Sequence, residues 1–308
     1  MEDKKSVKIA VIAAVSFFIL LISVFSAWKS ALPQRADSGR RETVRITATF
    51  YPLYIMLLNI TDGADGAELS LLAPAGTGCL HDYQLTAGDM KAIERCDILV
   101  ANGSGMEDFI EKALELKKDA AIIASEGFPL AEGNPHVWVS PAGALYEVKK
   151  IAEGLCRLDP ENAGQYKKNA AEYSSRLESL QKKMHGELDA FSGEAIIPFH
   201  EAFPYFAQEF GFFIPAVIER EPGSAPSPKE LNQTIETVKS ALESGRSVTL
   251  FAEPQYSSAA ADIISRETGL AVHELDPAVT GKLEKDAYIT CMERNASVLK
   301  NAFLQAAP

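Results

Sequence analysis

The chain has 308 residues, 47% hydrophobic and 23% charged, a balance that fits a folded protein with a sizeable core and room for two domains. Its net charge of −12, with a pI near 5.0, argues against nucleic acid or an anionic lipid surface as a partner. The four cysteines, Cys79, Cys96, Cys156 and Cys291, show no CxxC pairing and no zinc-ribbon spacing.

At the N-terminus, Lys4, Lys5 and Lys8 precede an uncharged stretch from Ile9 to Trp28. Its length of about 20 residues is enough to span a bilayer as a helix. Without a clean small-x-small cleavage site, residues 1–30 read as a retained membrane anchor, with a removed signal segment as the alternative. No cysteine in or just after the stretch offers a site for a lipid anchor. The polar residues 31–42 then read as a linker holding the folded part at the outer face of the cytoplasmic membrane.

The body alternates strands with helices, which predicts an α/β fold with mainly parallel sheets. Thr43–Phe50 is β-rich, Tyr51–Ile60 helical, and Glu68–Leu72 a strand running into a turn-forming segment at 73–78. His81 follows on a loop. Thr86 and Asp89 resemble a capping box for a helix reaching about Arg95. Strands at 97–101 and 120–124 flank a helix predicted over 106–116. The turn Asn102-Gly103-Ser104-Gly105 lacks both GxGxxG and a P-loop lysine, so it reads as a plain turn into a helix.

Asn134-Pro135-His136-Val137-Trp138-Val139-Ser140-Pro141 is the stretch most suited to fixing an imidazole. Alternation across His136–Val139 predicts a short strand or strand end, stopped by Pro141 at the start of a helix over 142–157. A histidine capping a buried turn is the alternative reading of His136. Against it stand three further polar residues, His81, His200 and Asp276, each closing its own apolar run.

Beyond Pro160, Tyr166, Ala170, Tyr173, Leu177, Leu180, Met184 and Leu188 recur every three or four residues. That spacing predicts one amphipathic helix of about 28 residues, ~40 Å long, serving as a backbone between two halves. The second half then gives strands at 195–199, 212–218, 247–252 and 270–275. Helices are predicted at 202–210, 228–244, 257–268 and 286–303. In the last strand His273 and Asp276 fall on opposite faces, which leaves His273 structural or solvent-facing.

Six motifs occur in one order: Thr47–Pro52, the His81 loop, Asn134–Trp138, Phe199–Tyr205, Phe251–Gln255 and Leu275–Pro277. In this the chain resembles the substrate-binding proteins of zinc/manganese ABC transporters (the ZnuA/TroA type), from about residue 43 to 305. The resemblance implies two α/β lobes, 43–158 and 192–308, joined by a long helix within 159–191, with a metal bound between them. It places the ligands at His81, His136, His200 and Asp276. The implied cargo is Zn²⁺, with Mn²⁺ as the alternative, and the implied partner is an ABC permease served by a monomer that is not an enzyme. An adhesin or metal sensor on the same scaffold is a further alternative, and a zinc hydrolase is disfavoured by the absence of HExxH.

The chain departs from the family in having Cys79-Leu80 before His81, where Asp-Pro is usual, and in lacking a His-rich run between His81 and His136. Cys79 is therefore a candidate neighbour of the site. Three imidazoles and a carboxylate suit tetrahedral Zn²⁺, and Asp82, Glu201 and Glu253 are candidates to orient the imidazoles.

Overall fold

The computed structural model describes residues 43–80, 83–219 and 225–306. The anchor and linker expected over 1–42 lie outside them. Among the described residues no helix is long and apolar enough to cross a membrane.

Two parallel sheets organise the chain. The first comprises β1 (Val44–Ala48), β2 (Ala67–Leu71), β3 (Ile98–Ala101) and β4 (Ala121–Ile123), in the order β2-β1-β3-β4. Helices α1 (Tyr51–Ile60), α2 (Ala87–Arg95) and α3 (Glu111–Leu116) connect these strands. The second sheet orders β5 (Ala195–Ile197), β6 (Val248–Ala252) and β7 (Val272–Glu274) side by side. Its connections run through α6 (Pro204–Phe210), α7 (Pro228–Glu243) and α8 (Ala259–Thr268). Among the described residues all five strand pairings are parallel, as the βαβ alternation requires.

Strand periodicity builds the core. In β3, Ile98 and Val100 face one cluster while Leu99 faces another. In β6, Val248, Leu250 and Ala252 pack towards α7 and α8, whereas Phe251 turns to the large central cluster. Both faces are covered, so β3 is apolar throughout and β6 nearly so, its polar Thr249 being buried as well.

Helix α4 (Pro141–Leu158) leads through a short turn into α5 (Ala163–Leu188), 26 residues and thus ~39 Å long. The seven apolar positions spaced by three and four along it are all buried. That stripe packs against α4, α1 and α9 (Ala287–Ala306), joining residues of both halves in one core. Local signals are equally plain at the helix starts. Thr86 and Asp89 form a reciprocal capping box for α2, Ser227 and Glu230 one for α7, and Ser140 caps α4 through Gly143 N.

Three predicted elements differ. Val137–Val139 is a 3-10 turn, not a strand, because all three side chains are buried on a segment bonded to its own backbone. The helix predicted over 106–116 breaks into a 3-10 turn at Asp108–Ile110 and the short α3. Residues 212–218 form no strand beyond a single bridge, Ala195 to Phe213; Pro215 within the segment removes a ladder donor.

Candidate metal centre

The candidate site is assembled by loops leaving the carboxyl ends of parallel strands, where open α/β sheets commonly bind ligands. Cys79 lies beyond β2, His136 beyond β4, His200 beyond β5, Glu253 directly after β6, and Asp276 just past β7. His200 and Glu253 thus follow the fully buried strands β5 and β6, which anchor their positions.

His136 is buried and oriented by Asn134. The Asn134 amide donates through Nδ2 to the Glu201 carbonyl at 2.7 Å, which fixes Oδ1 as the acceptor. That oxygen accepts from both the backbone N–H and Nδ1 of His136, each at 3.0 Å. The proton is thereby held on Nδ1, leaving the Nε2 lone pair for a ligand. Its loop is pinned from both halves: Asn102 Nδ2 donates to the Pro135 carbonyl at 2.9 Å, and the Tyr205 hydroxyl donates to the Asn134 carbonyl at 2.6 Å. The imidazole stands 5.3 Å from the Trp138 ring.

His200 is held by a carboxylate. Its Nδ1 donates to Glu253 Oε1, while Glu253 Oε2 accepts from Gln255 Nε2 at 2.8 Å. Burial pushes the Glu253 carboxyl up from the usual range, and the adjoining His200 pulls it back down. The opposite ring nitrogen, Nε2, is buried and has no hydrogen-bond partner among the described residues. The two imidazoles meet edge to face at 5.2 Å between centroids.

Cys79 completes the group. Its Sγ lies 3.2 Å from His136 Nε2, and one donor atom of each of Cys79, His136 and His200 falls within 4.8 Å of the other two. The Cys79 N–H donates to the Tyr256 hydroxyl at 3.2 Å, and Tyr256 stacks on Phe199 next to His200. Gly78 permits that approach: its φ is +83°, and a Cβ there would stand 2.9 Å from the Tyr256 hydroxyl.

Asp276 lies outside this trio. Its Oδ1 accepts from Ala278 N at 2.8 Å, and its backbone exchanges two hydrogen bonds with the Asn295 side chain. Burial raises its carboxyl, and its charge contributes to raising Glu253. His81 and Asp82 lie outside the described residues. His185 and His273 sit elsewhere: His185 Nδ1 pairs with Asp189 at 2.7 Å, and the His273 ring lies 6.1 Å from Phe251.

Of the orienting groups sought in the sequence, Glu253 takes that part for His200. Glu201 contributes only its backbone carbonyl, and the orienter of His136 is Asn134. An Asn two residues before a histidine is a recognisable Asx-turn pattern, so this signal was present in the sequence.

The donor chemistry fits a transition metal. A buried imidazole nitrogen without a partner costs about 1–3 kcal/mol, and a bound cation removes that cost. Two imidazoles, each locked in the Nδ1-protonated form, and a thiol make a borderline-to-soft donor set, matched to zinc rather than to harder ions.

Fold and site together define a solute-binding type of α/β protein, with two parallel sheets around a nitrogen- and sulfur-lined centre. The chain belongs to the family described as zinc-uptake complex component A, periplasmic (ZnuA), whose model matches residues 46–302. It is 29% identical over 307 residues to the high-affinity zinc uptake system protein ZnuA of Bacillus subtilis (strain 168), covering 91% of this chain and 94% of that one. Among solved structures, it is similar to FpvC from Pseudomonas aeruginosa in complex with Mn²⁺, with a TM-score of 0.77 and 31% identity over 86% of this chain and 100% of FpvC. Zn(II)-bound AdcA from Streptococcus pneumoniae gives a TM-score of 0.71 at 29% identity, covering 86% of this chain. The chain spans 59% of that AdcA structure.

Proposed function

We propose that this protein captures a divalent transition metal, zinc, outside the cytoplasm and passes it to an ABC-type permease, acting as a monomer held at the membrane by residues 1–30. Residues 43–158 and 192–308 act as two lobes joined through 159–191. His136 and His200 are the central ligands in this reading, with His81 and Asp276 added by the resemblance to the family.

One observation supports the reading above others: the buried, unpartnered Nε2 of His200, backed by the Glu253 carboxylate. Carboxylate–histidine pairs of this kind orient and strengthen metal-ligating imidazoles. Family membership supplies the transport context. Zinc is favoured over manganese because the donors that lie together, those of Cys79, His136 and His200, are nitrogen and sulfur, whereas manganese favours an oxygen-rich set.

Calorimetric titration of the purified full-length chain with zinc tests the reading. One zinc per chain, with loss of binding in His200→Ala, is the expected result. Unchanged binding in that variant would reject the site.

A further inference from the structure

The thiol of Cys79 is placed where a metal ligand would be, not merely near one. Two ligands of tetrahedral zinc, one sulfur at about 2.3 Å and one nitrogen at about 2.0 Å, stand about 3.5 Å apart. Cys79 Sγ and His136 Nε2 are 3.2 Å apart, close to that spacing without rearrangement. All three members of the trio are buried, at 6%, 2% and 1% exposure for Cys79, His136 and His200. Once Glu253 engages His200 Nδ1, the unpartnered Nε2 is the nitrogen that His200 has left to offer.

The sulfur is held there by contacts spanning the chain. Cys79 N–H donates to the Tyr256 hydroxyl across 177 residues, and only a glycine at 78 allows the backbone so close to that ring. Asp276, in contrast, stands outside the trio with one oxygen engaged by Ala278 N–H.

We propose that Cys79 is itself a metal ligand, its thiolate joining the imidazoles of His136 and His200 in a mixed sulfur–nitrogen donor set that takes thiophilic divalent ions. This rests on the metal-capture reading above and specifies its ligand chemistry. On binding, the S–H bond breaks, the metal–sulfur bond forms, and the proton passes to solvent, with no change of oxidation state. A thiolate adds one negative charge and a soft donor, so the site discriminates against hard ions such as manganese and accepts cadmium readily.

Cobalt(II) reports this directly, because it occupies zinc sites and absorbs where d¹⁰ zinc is silent. The full-length chain titrated with cobalt should show visible ligand-field bands together with a near-ultraviolet thiolate-to-cobalt charge-transfer band. Cys79→Ser should abolish the charge-transfer band, keep the ligand-field bands, and weaken zinc binding by roughly tenfold or more. Cys291→Ser should change neither. Cobalt bound with ligand-field bands but no charge-transfer band in the wild type would overturn the ligation by Cys79 and leave metal capture standing. A charge-transfer band that survives in Cys79→Ser would also overturn it. Absence of any cobalt or zinc binding would remove both readings.

Discussion

The Trp138 indole donates to the carbonyl of Pro277 at 2.9 Å, across 139 residues. The central motif of the first half thereby holds the loop of the second half that carries Asp276. The Tyr288 hydroxyl donates in turn to the Trp138 carbonyl at 2.8 Å, so α9 braces the same junction. Trp138→Phe should preserve the aromatic packing against Phe50 but leave the buried Pro277 carbonyl without its donor. A loss of about 2 kcal/mol in chemical denaturation is expected. A change within experimental error would mean the contact adds nothing to stability.

Glu147 presents a separate case, with no part in the site. It is fully buried in α4, neither carboxyl oxygen has a hydrogen-bond partner among the described residues, and burial with the nearby Glu107 charge holds its carboxyl well above the usual range. Glu107 is pushed up to about 7 by burial, against the hydrogen bonds it accepts from Thr49, Asn102 and Gly103. A carboxyl raised on folding keeps its proton while the unfolded chain loses it. Its contribution to stability is therefore whole below about 4.5, the unfolded value, and is lost as pH rises through the folded value. Glu147→Met should stabilise the protein at pH 7.5 by about 1–3 kcal/mol, with the difference from wild type shrinking towards pH 4.5. Thermal unfolding of both proteins across that range checks the sign. A pH-independent difference would contradict it.

The contrast between the long helix and the centre shows what the sequence could and could not disclose. Helix α5 was legible because its seven apolar positions repeat locally at helical spacing, and the capping box at Thr86 is contained in four residues. Among the metal-ligand candidates, His200 was legible because it closes an apolar run, a pattern that parallel strands produce, and His136 because its Asn-Pro-His-Val-Trp surroundings suit the fixing of an imidazole. The membership of Cys79 depends on Tyr256, 177 residues away, and no local pattern carries such a contact. Likewise, alternation over His136–Val139 cannot separate a strand from a 3-10 turn once every residue in the segment is buried. The orienting role of Asn134 was written in its spacing but needed the turn geometry to be read.

The His200–Glu253 pair yields a prediction about affinity rather than folding. Glu253→Gln keeps an oxygen to accept from Nδ1 but removes the carboxylate that strengthens the opposite nitrogen as a donor. Zinc affinity should fall about 10–100-fold, measured by competition with a chelating dye. Equal affinity would show that the charge of Glu253 does not act through the imidazole.

Metal choice follows from the donor set. The wild-type chain should bind zinc at least about a hundredfold more tightly than manganese, ~2.7 kcal/mol. His200→Glu, which replaces a nitrogen donor by a carboxylate able to chelate, should narrow that gap by weakening zinc more than manganese. Competition calorimetry on both proteins measures the ratio. Near-stoichiometric displacement of zinc by manganese from the wild type would reverse the assignment of cargo.

The most direct test of the account is the zinc-induced shift in unfolding free energy of the full-length chain and its histidine variants. Binding to the folded state alone should raise stability by about 4 kcal/mol at a thousandfold excess of zinc over Kd. His136→Ala should lose most of that shift, whereas His185→Ala and His273→Ala, outside the trio, should keep it. Equal shifts in all three variants would contradict a zinc site built on His136 and His200.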